Sequence, residues 1–189
     1  HAGLAEEAEK YLEECIRSQD SAGGIIECRI TGLPAGIGDP VFEKLDASLA
    51  KAVLSIGAVK GFEIGDGFVA ARAKGSTNND VFRSRNGQIY KASNHAGGVL
   101  GGISDGSPVV FRAAVKPTSS ISREQLTTDR EGRETTLTVK GRHDPVIVPR
   151  AVVVVEAMAA LTVVDALFAG MTARMDSVAA FCQDLRQTS

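Results

Sequence analysis

Several short stretches of the chain are predicted to be β-strands, at residues 25–31, 58–73, 88–92, 107–116 and 135–140. The clearest is 107–116, where every second residue from Val109 to Val115 is apolar, as in a half-buried strand. The stretch 58–73 is predicted as one strand or a bent pair of strands, and within it Gly65 and Gly67 indicate a bulge or the close approach of another segment. Asn86-Gly87 is typical of a hairpin turn leading into 88–92.

Longer stretches follow a helical pattern, at residues 3–18, 39–56, 149–168 and 171–187. For 39–56 we predict Asp39 as the N-cap and Pro40 as the first helical residue. The residues expected to face inward are Val41, Leu45, Leu49 and Val53. The pattern of 149–168 is ambiguous, because four consecutive valines favour a strand while its length and Ala, Met and Leu content favour a helix. Alternating strands and apolar helices indicate an α+β layered fold.

Length and composition narrow the class of protein further. With 189 residues, 43% of them hydrophobic, we expect one domain, 1–189, with an aliphatic core. The net charge of −2 argues against a general nucleic-acid binder. The three cysteines are far apart without zinc-ligand spacing, so we expect reduced thiols in a cytoplasmic protein and no metal site. Glu156 and Asp165 interrupt the apolar run 151–171, which favours a core helix, covered on nearly all sides, over a membrane span.

A cluster of ionisable residues precedes this helix, where 141–145 read Gly-Arg-His-Asp-Pro. Pro145 disfavours the α region for Asp144, so the cluster lies on extended or turning backbone and can face a cleft. Arg142 is a candidate anion clamp or a surface ion-pair partner. Asp144 is a candidate catalytic carboxylate or the N-cap of the following helix. His143 has no assigned role.

A second candidate motif, Lys116-Pro117-Thr118-Ser119-Ser120, follows the strand 107–116. One ammonium group and three hydroxyls can receive a phosphate. Taken alone, the pentapeptide is equally typical of a polar exit from a strand.

These two motifs resemble chorismate synthase, as do the Gly-rich run 93–104 and the stretch 58–68, which reads Ala-Val-Lys-Gly-Phe-Glu-Ile-Gly-Asp-Gly-Phe. The resemblance runs from about Gly23 to about Leu167, in the order and rough spacing of the family. Chains of that family are about twice as long, and all four motifs belong to their C-terminal half. The chain is therefore expected to correspond to that half, without the family's two functional histidines and most of its substrate-binding arginines.

The resemblance implies a fold, an assembly and a reaction. The fold is a helical layer between antiparallel sheets, so residues 149–168 are predicted to form a helix and not a strand. The assembly is a homotetramer. The reaction is the anti-1,4 elimination of phosphate from 5-enolpyruvylshikimate 3-phosphate, which gives chorismate in the shikimate pathway. It requires reduced FMN, although there is no net redox change. NADP is also associated with the family. The flavin is thought to lend an electron transiently and to take the ring proton at N5.

The resemblance also implies roles for individual residues. Asp144 would assist proton removal near the flavin N5, and Arg142 would hold the flavin. The backbone at Gly57, Ala58 and Gly101 would approach the flavin, which at Gly101 requires a residue without a side chain. The remaining flavin contacts would be Lys116, Pro117, Thr118, Ser119 and Ser120.

The chain by itself is expected to be inactive, because the groups that activate the leaving phosphate belong to the other half. Two alternatives remain open from the sequence. One is a non-catalytic core that folds only as an oligomer. The other is an unrelated nucleotide-binding module that uses the Gly-rich run, although that run has neither Walker nor Rossmann spacing.

Overall fold

The structure is a computed structural model that describes residues 2–141 and 143–187. Its helices are α1 (Ala2–Arg17), α2 (Leu45–Leu54), α3 (Gly75–Asn78), α4 (Val148–Thr172) and α5 (Met175–Gln187). Its strands are β1 (Gly24–Ile30), β2 (Val59–Ile64), β3 (Phe82–Arg85), β4 (Gln88–Lys91), β5 (Val99–Leu100), β6 (Ile103–Ser104), β7 (Val109–Val115), β8 (Gln125–Thr128) and β9 (Glu134–Leu137).

The core is built on a three-stranded antiparallel sheet in the order β1-β7-β2. In the central strand β7 the predicted alternation is confirmed, since Val109, Phe111, Ala113 and Val115 are all buried. The opposite face of the sheet is charged, and on it Arg112 pairs with Glu63 at 3.0 Å. The sheet therefore has one face that packs and one face that contacts solvent.

Two helices cover the packed face of this sheet. In α2 the buried residues Leu45, Leu49 and Val53 recur every four positions. In α4 the buried residues recur in the same way, at Ala151, Val155 and Ala159, and α4 packs against both α2 and β1. The predicted α+β class, with a helical layer on an antiparallel sheet, is confirmed.

The outer side of α4 differs from its prediction. We expected burial on nearly all sides, but Val152, Val153, Val154, Leu161, Val164 and Phe168 are between 42% and 65% exposed. Protein covers only the stripe that faces α2 and the sheet. By length and composition alone, α4 is the one helix among the described residues that is long and apolar enough to cross a membrane.

The helix predicted for 39–56 begins later, at Leu45. Asp39 and Glu43 exchange backbone hydrogen bonds of 2.9 and 3.0 Å, so a tight turn occupies the predicted first helical turn. The assignment of Asp39 as N-cap was therefore wrong, and Val41 is 72% exposed. The Leu45 amide donates to the carbonyl of Gly102 at 2.8 Å, which anchors the start of α2 to the Gly-rich run.

The strand predicted for 58–73 ends at Ile64, and a 3₁₀ helix follows at Gly67–Arg72. Gly65 and Gly67 have φ of 56° and 52°, which turns the chain out of the sheet. The predicted close approach is confirmed at Gly65, because a Cβ there would collide with the backbone of His95 and Gly97. The predicted hairpin is also confirmed, with Asn86-Gly87 between β3 and β4.

A buried ion cluster joins this hairpin to the Gly-rich run. Lys91 Nζ lies 3.0 Å from Asp80 and 2.7 Å from Asp105, and all three side chains are at most 7% exposed. Asp80 also accepts the hydroxyl of Ser93 and the amides of His95 and Ala96. Burial alone would raise the pKa of the Asp80 carboxyl, but these donors hold it well below its usual range.

Candidate functional site

Three separate segments meet at the end of the central sheet where β7 finishes. The Ala22 amide donates to the carbonyl of Pro145 at 2.7 Å, and the Ser21 hydroxyl donates to the carbonyl of Thr118 at 2.6 Å. A Cβ on Gly23 would lie 2.6 Å from the Val115 carbonyl oxygen, so only glycine allows this approach. The loop 20–24 thus holds the segments 115–120 and 143–146 side by side.

Lys116 and Ala58 are neighbours at this end of the sheet. The Lys116 amide donates to the Ala58 carbonyl at 2.9 Å. Ala58 has a φ of 69°, an uncommon conformation for a residue with a side chain. A Cβ added to Gly57 would have no atom within 4 Å, so the backbone there is accessible. The Lys116 side chain is exposed and has no ion-pair partner among residues 2–141 and 143–187.

The rest of the predicted phosphate motif lies against the second motif. The Thr118 hydroxyl donates to the carbonyl of Asp144 at 3.4 Å, and Ser119 and Ser120 are exposed. Pro117, also exposed, packs close to Gly23. One ammonium group and nearby hydroxyls form a donor set that suits a phosphate group.

The carboxylate of Asp144 does not cap the helix that follows it. The N-cap of α4 is Ile147, which makes no side-chain cap hydrogen bond. Asp144 Oδ1 instead accepts a hydrogen bond of 2.5 Å from Arg150 Nη2. The capping alternative is therefore wrong, and the contact of Asp144 with the segment 116–120 is made by its backbone carbonyl. Arg142 lies outside the described residues.

A cavity of about 160 Å³ opens beside Asp144. It is lined by Ile16, Gln19, Asp20, Ile121, Ser122, Gly141, His143, Asp144 and Pro145. The ring of His143 contacts the Val139 carbonyl at 3.1 Å through Nε2. Because ligand pockets are usually several hundred Å³, this cavity can hold only part of a flavin.

Gly101 is separated from the other predicted site residues. It lies in the turn beside Gly102, which contacts the start of α2, whereas Gly57 and Ala58 follow the end of α2. Ten residues of α-helix span about 15 Å. Gly101 has a φ of 60°, so the turn itself requires glycine there.

A larger cavity, of about 590 Å³, lies between α2 and the second half of α4. None of the predicted site residues lines it. Its walls carry small side chains such as Ala166, Ala169 and Gly170, together with Lys51 and Asp165. Two of its lining residues on α4, Asp165 and Ala169, are exposed.

The sequence analysis missed two residues that shape this site, Ser21 and Arg150. Ser21 follows a helix and precedes a strand, and nothing in its local pattern indicates its contact with Thr118. Arg150 did carry a signal, because an arginine in the first turn of a helix opposes the helix dipole and requires a compensating partner.

Comparison with known proteins gives one consistent family. The chorismate synthase family model matches residues 1–168. The chorismate synthase of Agathobacter rectalis is 61% identical over 181 residues, which are 96% of this chain and 49% of that protein. The chorismate synthase of Lachnoclostridium phytofermentans is 62% identical over 175 residues, which are 92% of this chain and 48% of that protein.

A solved crystal structure of chorismate synthase has the same fold. It superposes with a TM-score of 0.72 at 33% identity and covers 95% of this chain but 47% of its own. The chain thus spans about half the length of the relatives that it matches. Sequence and fold agree over nearly all of its residues, and the chain belongs to the chorismate synthase family.

Proposed function

We propose that the protein containing this chain is a chorismate synthase, and that the chain is its C-terminal half. The reaction would be the anti-1,4 elimination of phosphate from 5-enolpyruvylshikimate 3-phosphate, giving chorismate. The observation that supports the proposal is the hydrogen bond from the Thr118 hydroxyl to the backbone carbonyl of Asp144, since it places the residue that carries the carboxylate next to an anion-binding donor set. The family relationship supports the choice of substrate.

Reduced FMN would be held at this end of the sheet. Lys116 supplies the charge for the flavin phosphate, and Ser119 and Ser120 supply hydroxyl donors. The backbone at Gly57 and Ala58 is accessible beside Lys116. When bound, reduced flavin supplies a transient electron and a proton acceptor that side chains lack.

The protein's part in the reaction is orientation and proton handling. Asp144 Oδ1 is occupied by Arg150, and Oδ2 has no hydrogen-bond partner among the described residues. Oδ2 is therefore the atom that can take up and release a proton near the flavin. Arg142, in the same motif, is proposed as a further flavin contact, and Gly101 as a distant backbone contact.

The remaining half of the polypeptide is proposed to cover the exposed side of α4. A contiguous apolar surface of this kind marks an interface, and family members are twice as long as this chain. Two features of α4 favour protein over lipid as the covering. One side of the helix packs on the underlying layer through Ala151, Val155 and Ala159, and the helix also carries the charged residues Glu156 and Asp165. We propose a cytoplasmic homotetramer.

Flavin binding tests the proposed site directly. FMN would be titrated into the chain by fluorescence quenching, with and without 5-enolpyruvylshikimate 3-phosphate. Lys116→Gln should weaken FMN binding roughly tenfold or more, since it removes a charge-assisted hydrogen bond. Lys74→Gln, which alters an exposed lysine in the segment before α3, is the matched control and should bind normally.

An anaerobic assay with reduced FMN tests the reaction itself. The full-length polypeptide should form chorismate and the isolated chain should not. If the full-length polypeptide binds no flavin, the chain is a structural core. Preference for ATP or NAD over FMN would instead favour a nucleotide-binding module.

A further inference from the structure

Asp144 is held by an arginine that lies outside both sequence motifs. Arg150 Nη2 and Asp144 Oδ1 are 2.5 Å apart, with the arginine side chain 71% exposed and the carboxylate 34% exposed. The contact spans the turn between the 141–145 motif and α4. It links the proposed catalytic carboxylate to the first turn of the longest helix.

The position of Arg150 is unfavourable for a helix taken by itself. α4 begins at Val148, so Arg150 is its third residue, where the helix end carries partial positive charge. First turns favour aspartate and glutamate rather than arginine. The carboxylate of Asp144 offsets this repulsion. The arginine is thus explained by its partner and not by helix formation.

The same contact determines which way the carboxylate turns. An aspartate before a helix would ordinarily reach for the free amides of the first turn. Here Pro149 has no amide hydrogen, and the Arg150 amide already donates to the Ile147 carbonyl at 3.1 Å. Few backbone amides of the first turn are therefore free to bind the Asp144 carboxylate, which accepts a hydrogen bond from the Arg150 side chain instead.

We propose that Arg150 is a positioning residue for Asp144. Its guanidinium fixes Oδ1 and so leaves Oδ2 as the atom that exchanges a proton. Arg150 acts through Asp144 and contacts neither flavin nor substrate. This inference rests on the proposed function, because the role of Asp144 comes from it.

A double-mutant cycle on turnover tests the proposal. The variants Asp144→Asn, Arg150→Gln and the double variant would be made in the full-length polypeptide, or in a chimera whose other half comes from the Agathobacter rectalis relative. Arg150→Gln should lower kcat roughly 10- to 100-fold, with KM and FMN affinity within about twofold. The double variant should be no slower than Asp144→Asn alone. Arg150→Lys should recover much of the loss, because a single nitrogen makes the contact.

Arg174→Gln is the matched control. Arg174 forms a similar exposed pair with Asp176 at the start of α5, at 2.6 Å, and lies away from the site. Its replacement should leave kcat unchanged. A second readout does not depend on turnover: the carboxyl carbon of Asp144 in ¹³C spectra should shift in Arg150→Gln and remain in place in Arg174→Gln.

Three results would overturn the proposal. Losses that multiply in the double variant would mean that Arg150 acts on substrate or flavin independently. A raised KM or weakened FMN binding with kcat unchanged would make it an anion-binding residue. A lower melting temperature and a shifted Asp144 signal, with kcat unchanged, would mean that the pair only stabilises the fold. If the wild-type protein forms no chorismate, the proposed function fails. If the ¹³C signal of Asp144 does not shift in Arg150→Gln, the pairing of Arg150 with Asp144 is refuted.

Discussion

At the scale of single residues, Lys91 is the buried cation that joins the β3–β4 hairpin to the Gly-rich run. It is 3% exposed and pairs with two carboxylates that are nearly as buried. Lys91→Met keeps the volume but leaves Asp80 and Asp105 without their cation. Removing one partner of a buried ion pair costs about 3–5 kcal/mol, so the free energy of unfolding in urea should fall by that order.

The matched control is Lys51→Met. Lys51 pairs with Glu43 at 3.0 Å on the surface, where its side chain is 71% exposed. Exposed pairs contribute about 0–1 kcal/mol, so this variant should unfold nearly as the wild type does. Equal losses in the two lysine variants would contradict the assignment of Lys91 as the buried anchor of the hairpin.

The same cluster predicts how stability depends on pH. The pKa of Asp80 and of Asp105 is lowered, because donors to each carboxylate outweigh the effect of burial. A lowered pKa in the folded state means that the unfolded chain binds more protons in acid. The contribution of the two carboxylates to the free energy of unfolding is then complete above about pH 4. It declines as the pH falls through the pKa values that the two groups have in the folded state. In acid titrations of unfolding, Asp80→Asn should show a shallower decline than the wild type.

At the scale of elements, the site depends on the loop 20–24 lying close to the end of β7. Gly23→Ala would place a Cβ 2.6 Å from the Val115 carbonyl oxygen and 3.0 Å from Pro117 Cδ. The loop must shift, which should cost about 1–3 kcal/mol and weaken FMN binding. Gly75→Ala is the control, because a Cβ added to Gly75, at the start of α3, would have no atom within 4 Å. Melting temperatures and FMN titrations of both variants test the contact. If both variants behave alike, the close approach is not needed for binding.

How far the elements could be predicted depends on where their determinants lie. β7 and the β3–β4 hairpin were predicted correctly, because alternation and an Asn-Gly turn are local signals. The start of α2 was predicted wrongly, because it is fixed by a hydrogen bond from the Leu45 amide to the carbonyl of Gly102, which is far away in sequence. The same holds for the site. Its motifs are local, but the contacts Ser21–Thr118 and Asp144–Arg150 arise from the packing of separate segments.

At the scale of the whole molecule, the two sides of the layered structure differ in chemistry. The outer face of the sheet carries charged residues such as Glu27, Arg112 and Glu63. The outer face of α4 is almost entirely apolar over seven turns of helix. Covering the helical side with a second layer would complete the helical layer between two sheets that the family resemblance implies. We therefore expect that the half of the family chain that this sequence does not span docks on α4 and not on the sheet.

Charged substitutions on the two sides distinguish these surfaces. Val153 is 63% exposed on α4, and Ile25 is 69% exposed on the outer face of β1. Both side chains contact solvent, so Val153→Lys and Ile25→Lys should each leave the melting temperature of the isolated chain within a few degrees. Val153→Lys should abolish copurification with a separately expressed N-terminal half of the Agathobacter rectalis relative, because docking would bury the ammonium group without a partner. Ile25→Lys should copurify normally. The opposite pattern would place the N-terminal half on the sheet, and loss of copurification in both variants would mean that it wraps around both sides.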